Sequence, residues 1–140
     1  MKAYLDASVL VALFTHDLLT LRAESYLRKA VPLLVVSDFA AAEFASAVSR
    51  RVRMRLLTAR DARAVFSTFD VWLAQAATRA PTTASDVAAA DAYLRRLDLT
   101  LRTPDALNIA LAQRFGATLA TLDRKMAAAA RKLGLGVATL

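Results

Sequence analysis

Cysteine is absent from this 140-residue chain, and histidine occurs once. The first absence excludes disulfides, thiolate metal sites and cysteine nucleophiles. The second, with His16 standing alone, argues against a histidine-rich zinc site or a paired-histidine nuclease. Any bound metal is therefore expected to be a hard cation held by oxygen. Acid is scarce as well: 12 Asp and Glu face 19 Lys and Arg, giving a net charge of +7 and a pI near 10.6. Long apolar runs are missing, since nothing approaches the roughly 20 residues that cross a bilayer. Lys2 does precede an apolar run over 7–14. Asp6 interrupts it, the run is short, and no persuasive cleavage site follows, so a soluble cytoplasmic protein is expected in place of a secretory leader.

What is present is alanine and arginine. Hydrophobic residues make up 57% of the chain, above the roughly 45–50% of ordinary soluble domains. Much of the excess is alanine, which favours helix and close helix packing, and part of it can be surface reserved for a partner. The basic excess suits a polyanion, because Arg and Lys displace counterions from phosphate; a protein that is merely basic fits the charge equally well. Clustering at Arg50, Arg51, Arg53 and Arg55, and again at Arg95, Arg96 and Arg102, favours nucleic acid modestly.

The residue pattern predicts strands alternating with helices. Lys2–Leu5 reads as a short strand ended by Asp6 and Ser8, followed by a short helix over Val9–Thr15. A helix over Asp17–Ala30, with a stripe of Leu18, Leu21, Ser25 and Leu27, runs into Pro32. Leu33–Val36 reads as a buried parallel strand. Ser37 and Asp38 cap a helix to about Met54, and Thr58 caps another from Ala59 to about Ala77. Thr78–Thr83, with Pro81, is at best a short edge strand. Ser85 or Asp86 opens a helix to about Leu97. Thr103-Pro104-Asp105 opens the next, closed by Gly116. Ala117–Leu122 reads as a strand, Asp123 as the cap of a helix to Leu133 ended by Gly134, and Gly136–Thr139 as a last short strand. Such alternation implies a parallel sheet covered on both faces. No repeat or linker divides the chain, so 1–140 is expected to form one α/β domain.

In such a sheet ligands bind beyond the carboxyl ends of the strands, where the winding reverses. Asp6 and Asp123 directly follow strands and should emerge at that edge. Glu43, in the first turns of a helix that follows a strand, should lie there too, and Asp105 joins them if its helix starts at the same edge. Each has a plainer explanation. Asp6 and Asp123 can be N-caps, worth about 1 kcal/mol. Asp105 can answer the helix dipole, worth about 0.3–1 kcal/mol. Glu43 can point to solvent on a polar stripe with Ser46 and Arg50. Glu43 is the most informative, because its neighbours in Phe39–Ala45 are nearly all apolar, and a half-buried carboxylate needs a partner. Two like charges at 4 Å cost about 4 kcal/mol at an effective dielectric of 20, a penalty that a divalent cation turns into binding. Such an ion can activate water against a phosphodiester.

At these residues the sequence resembles the PIN-domain family. Tyr4-Leu5-Asp6-Ala7-Ser8-Val9-Leu10-Val11 is similar to its opening, and Ser37–Phe44, Thr103–Leu107 and Leu119–Arg124 resemble its later motifs in order and spacing. Length and motif wording are most similar to the VapC toxins of toxin–antitoxin pairs. The resemblance implies a three-layer α/β/α sandwich around a central, mostly parallel sheet of four to five strands. It also implies a magnesium- or manganese-dependent endoribonuclease, with Asp6, Glu43, Asp105 and Asp123 as the acidic, metal-holding site. Ser8 and Thr121 carry over as groups that orient the carboxylates or a water, and Asn108, one turn after Asp105, reads as a pocket residue or as a satisfied surface amide. A homodimer and a VapB-like antitoxin that covers the site are implied as partners, with RNA as substrate. The sequence departs from many relatives at Lys125, where they carry an acid, which argues for one firmly bound ion. The remaining acids (Asp17, Asp61, Asp70, Asp86, Asp91, Asp98) read as caps or solvated helix faces, His16 as a surface residue near a helix end, and Phe66, Phe69 and Trp72 as core or dimer contact.

Two other functions compete with the ribonuclease. One is a non-catalytic PIN-like module that binds RNA or protein. The other is a metal-dependent phosphatase or DNA nuclease, weakened in its aspartyl-phosphate form because Ser8 stands where an Asp-x-Asp nucleophile pair needs a second aspartate.

Overall fold

Four short strands form one sheet in the computed structural model, which describes residues 1–138 and 140. They are β1 (Lys2–Leu5), β2 (Leu33–Ser37), β3 (Ala77–Ala80) and β4 (Thr118–Ala120). Their order is β3-β2-β1-β4, and every neighbouring pair is parallel. The helices among the described residues are α1 (Ala7–Phe14), α2 (Thr20–Ala30), α3 (Asp38–Arg53), α4 (Ala59–Ala76), α5 (Ala84–Arg95), α6 (Thr103–Arg114) and α7 (Arg124–Lys132).

The strand order dictates the layers. From β1 the chain steps outward to β2 and β3, then returns to the other side of β1 to lay down β4. Right-handed crossovers send connections of opposite direction to opposite faces. Accordingly α1 packs with α2, α3 and α4, while α5 packs with α6, and α6 with α7. The result is a three-layer α/β/α sandwich whose sheet is parallel throughout. Covered on both faces, the sheet is fully buried at Ala3, Tyr4, Leu5, Val36, Leu119 and Ala120. Phe14, Phe44, Phe69 and Trp72 interlock edge-to-face and tilted between α1, α3 and α4, with Phe66 against Phe44, so these aromatics are core.

Helix starts follow the capping residues. Asp6, Ser37, Thr58 and Asp123 each accept backbone N–H bonds at the head of α1, α3, α4 and α7. Gly116 and Gly134, at φ of 59° and 80°, turn the chain out of α6 and α7 in the left-handed region that glycine tolerates.

Several boundaries differ from expectation. α1 begins at Ala7, directly after its cap. α2 begins at Thr20, because Asp17 Oδ1 takes the Leu19 N–H and makes a turn first. Its anticipated stripe holds only in part: Leu27 turns inward, with Ala23, Tyr26 and Ala30 at i, i+3, i+4 and i+7, whereas Leu18 is 98% exposed and Leu21 73%. The doubtful segment around Thr78 is a true edge strand, shifted to Ala77–Ala80 so that Pro81 falls just outside the ladder. Thr83, not Ser85 or Asp86, stands at the N-cap of α5. The last strand reduces to one parallel bridge between Leu119 and Val137, and its final residue, Thr139, lies outside the described residues.

Candidate active site

The winding reverses between β1 and β4, so the crevice at their carboxyl ends is the place where this topology exposes a site. Leu5 pairs with Ala120, and the Asp6 N–H donates to the Ala120 carbonyl at 3.3 Å. Asp6 and Thr121 therefore leave the sheet side by side. A cleft of about 800 Å³ opens there, and Asp6, Glu43, Asp105 and Asp123 all line it. α3 brings Glu43, together with Ser46 and Arg50, so the polar stripe on that helix faces the cleft. α6 starts at the same edge and brings Pro104, Asp105 and Asn108.

Asp6 is the most enclosed of the four, 2% exposed. Its Oδ1 accepts from Ser8 Oγ at 2.6 Å and from the Val9 N–H at 3.1 Å, and its Oδ2 accepts from Thr121 Oγ1 at 2.5 Å. The two hydroxyls are pinned in turn: Ser8 Oγ accepts the Leu122 N–H and Thr121 Oγ1 accepts the Asp123 N–H. Ser8 and Thr121 thus clamp Asp6 from both sides of the β1–β4 seam. No side chain of positive charge is among these partners. Burial pushes the Asp6 carboxyl above its ordinary range; the hydroxyl and amide bonds oppose this, and the charge of Asp123 adds to it.

Glu43 is half-buried and also pushed up, first by burial and then by the charges of Asp6 and Asp105, against a hydrogen bond from Asn108 and the attraction of Arg102. Asp6 and Asp105 thus lie near enough for their charges to bear on Glu43. Asn108, 2% exposed, is no surface amide: its Nδ2 donates to Glu43 Oε2 at 2.8 Å and to the Pro104 carbonyl at 3.0 Å. Asp105 is 8% exposed; its Oδ2 accepts the Arg102 N–H at 3.0 Å and lies 3.6 Å from Arg102 Nε. Asp123 Oδ1 accepts the Lys125 and Met126 N–H groups. Asp123 caps its helix, as its plainer reading held, Asp105 completes a capping box in the first turn of α6, and both still face the cleft.

The donor set is all oxygen, burial holds the Asp6 and Glu43 carboxyls above their ordinary range, and no side-chain cation neutralises Asp6. Those features fit a hard divalent ion. Among the described residues no three acidic side chains stand close enough together to form a ready-made metal cage. Magnesium, which usually takes one or two carboxylates with waters and substrate phosphate, needs none. Arg50, Arg51, Arg53 and Arg102 also line the cleft, giving an acidic floor and a basic rim. The second basic cluster is largely spent locally, with Arg95 on Asp91 and Arg96 on Asp98.

The PIN-domain family profile matches residues 3–132. The chain belongs to the PIN-domain family. No curated protein sequence matches it significantly, and the similarity to solved structures is one of fold. VapC20 from Mycobacterium tuberculosis, described as a sarcin-ricin loop cleaving toxin, is 22% identical with a TM-score of 0.73, over 91% of this chain and 94% of that one. VapBC2 from Rickettsia felis, bound to a promoter DNA fragment, is 19% identical with a TM-score of 0.70 over 99% and 98%. FitAcB from Neisseria gonorrhoeae is 18% identical with a TM-score of 0.66 over 98% and 96%.

Two buried polar groups of this PIN domain were not anticipated. Tyr4 reads as an apolar strand residue, yet its hydroxyl reaches Ser37 and Asn108. Asp86 reads as a cap, which it is through Thr83, but it is also buried against Arg114. Both partnerships are long-range, and no local pattern signals them. His16 is exposed just after α1, as expected.

Proposed function

We propose that the chain, acting over 1–140 as a single PIN domain, is a magnesium- or manganese-dependent endoribonuclease and the toxin of a type II toxin–antitoxin pair. The observation that carries this reading is Asp6: a buried carboxylate without a cationic side chain beside it, opening into a cleft shared with three further acids and rimmed by arginine. Asp6, Glu43, Asp105 and Asp123 would hold the divalent ion, which would supply a water of lowered pKa and stabilisation for charge developing on a phosphodiester. The protein's own groups do the rest. Ser8 and Thr121 hold the Asp6 oxygens in place. Glu43, with raised pKa and Oε2 held by Asn108, is suited to accept the proton of the attacking water. Arg50, Arg53 and Arg102 attract the RNA backbone.

A VapB-like antitoxin and a homodimer are the proposed partners, and RNA as substrate implies action in the cytoplasm. The VapBC and FitAB neighbours support the antitoxin, and exposed Leu18 and Leu21 supply apolar surface for contact. No described helix is long and apolar enough to cross a membrane. The other reading, a non-catalytic module that binds RNA or protein, draws on the absence of a ready three-acid cage. Asp6→Asn and Asp105→Asn decide between them. Each is expected to lower RNA cleavage with Mg²⁺ or Mn²⁺ at least about 100-fold, and to end growth inhibition, with the circular-dichroism spectrum unchanged. A wild-type protein that cleaves no RNA refutes the nuclease, and cleavage at the wild-type rate in either variant refutes this acidic site as its centre.

A further inference from the structure

Beneath the cleft runs a buried hydrogen-bond chain that ends on Glu43. Tyr4, fully buried in the central strand, places its hydroxyl 2.6 Å from Ser37 Oγ and 2.7 Å from Asn108 Oδ1. The direction of every bond in it follows from the groups involved. Asn108 has two acceptors at its other end, Glu43 Oε2 and the Pro104 carbonyl, and both require its NH2 group. Its carbonyl oxygen must then face Tyr4, so Tyr4 donates. Having given its only proton, the Tyr4 oxygen can only accept from Ser37, and Ser37 Oγ accepts in turn from the Ala40 N–H at 2.9 Å. The donors thus run one way, from Ala40 through Ser37, Tyr4 and Asn108 to Glu43. The chain starts at the head of α3 and returns to the same helix one turn later, crossing β2, β1 and α6.

We infer that Tyr4 is a positioning residue for Glu43: by occupying the Asn108 carbonyl it locks the amide with its NH2 toward the carboxylate, and so fixes which Glu43 oxygen faces the cleft. Without the Tyr4 hydroxyl the amide loses the bond that holds its carbonyl end. Glu43 then has a mobile partner in place of a fixed one, although Tyr4 itself touches neither the cleft nor anything bound there. A phenylalanine fills the same apolar space, so the substitution removes the bond and little else. The catalytic consequence rests on the nuclease reading above, whereas the geometric one does not.

The test pairs kinetics with a readout on the metal-free protein. Tyr4→Phe, Asn108→Ala and the double variant are compared on one cleavable RNA oligonucleotide with Mn²⁺, and the exchange of the Asn108 side-chain amide protons is followed by ¹⁵N NMR without metal. Tyr4→Phe is expected to lower kcat about 10- to 100-fold with KM within about twofold, as loss of an orienting partner commonly does. In the Asn108→Ala background it should have no further effect, and in the single Tyr4→Phe variant the slow Asn108 amide exchange should become fast. Full activity of Tyr4→Phe, or losses that multiply in the double variant, overturns the inference. If the wild-type protein cleaves no RNA, the nuclease reading fails and the amide protons decide alone: slow exchange lost in Tyr4→Phe upholds the positioning role, and unchanged exchange overturns it. If Tyr4→Phe does not fold, the wild-type amide decides, since protons that exchange as fast as those of a free amide mean that no lock exists.

Discussion

Asp6 and Asp86 are both buried aspartates at the heads of helices, 2% and 1% exposed, and they have opposite electrostatic fates. Asp86 is gripped by Arg114, with Nε to Oδ1 at 2.7 Å and a terminal guanidinium nitrogen to Oδ2 at 2.9 Å, and by the Thr83 N–H and hydroxyl. Burial pushes its carboxyl up, but Arg114 and Thr83 outweigh burial and hold it below the ordinary range. Asp6 accepts three hydrogen bonds, all from hydroxyls and an amide, to the four of Asp86, and burial wins. A buried charge that carries its own cation is part of the structure. One left with dipoles alone is a place where the protein tolerates strain, and such places are usually where function lies.

The sharpest way to break this comparison is Asp86→Ala. It leaves Arg114 facing a buried void and unpins the end of α6 from the start of α5. Loss of one partner of a buried pair costs about 3–5 kcal/mol, and because the Arg114 side chain is one-third exposed we expect the lower side, about 2–3 kcal/mol, read from urea unfolding. The matching change at Asp6 removes a helix cap but no ion pair, and should cost about 1 kcal/mol. A loss below about 0.5 kcal/mol at Asp86 would show that the two aspartates are not different in kind.

Divalent ions sharpen the contrast from the other side. If Asp6 awaits a cation, Mg²⁺ or Mn²⁺ at ten times its dissociation constant should stabilise the native state by about 1.4 kcal/mol, seen as a rise in Tm. Asp6→Asn should abolish that rise, and Asp86→Asn should leave it intact on a less stable protein. An equal rise in all three proteins would place the ion elsewhere.

How far the sequence disclosed this arrangement depends on the range of the interactions involved. Asp6 and Asp123 were legible because a strand, a capping acid and a helix follow one another within a few residues, and a parallel sheet sends all such junctions to one edge. Glu43 was legible as an acid amid alanines and phenylalanines. The α2 stripe misled at Leu18 and Leu21, because leucines at helical spacing are not buried unless a neighbour covers them, and Ala23 turned inward with Leu27 instead. Arg114 lies 28 residues from Asp86, and Asn108 lies 104 from Tyr4. Nothing local distinguishes these from an ordinary surface arginine and a strand tyrosine. The cleft's floor was therefore readable and its supports were not.

The smallest expected effect is on pH dependence, where the two aspartates should pull in opposite directions. Asp86, with its native pKa lowered, contributes stability that is present above the unfolded carboxyl value near 3.9 and is lost as pH falls through its native value. Asp6, with its native pKa raised, holds a proton that the unfolded chain has already released, so stability falls as pH rises through that window. Asp6→Asn removes the second slope and keeps the first. In metal-free buffer at neutral pH the variant should be more stable than wild type by on the order of 1 kcal/mol, the usual size of gain when a strained functional site is relaxed. Urea midpoints measured from pH 3 to 8 on both proteins give the difference curve directly. Its rise with pH is the signature of an ionised Asp6 without a cation, and a flat curve would mean that Ser8, Thr121 and the Val9 amide satisfy the carboxylate as fully as Arg114 satisfies Asp86.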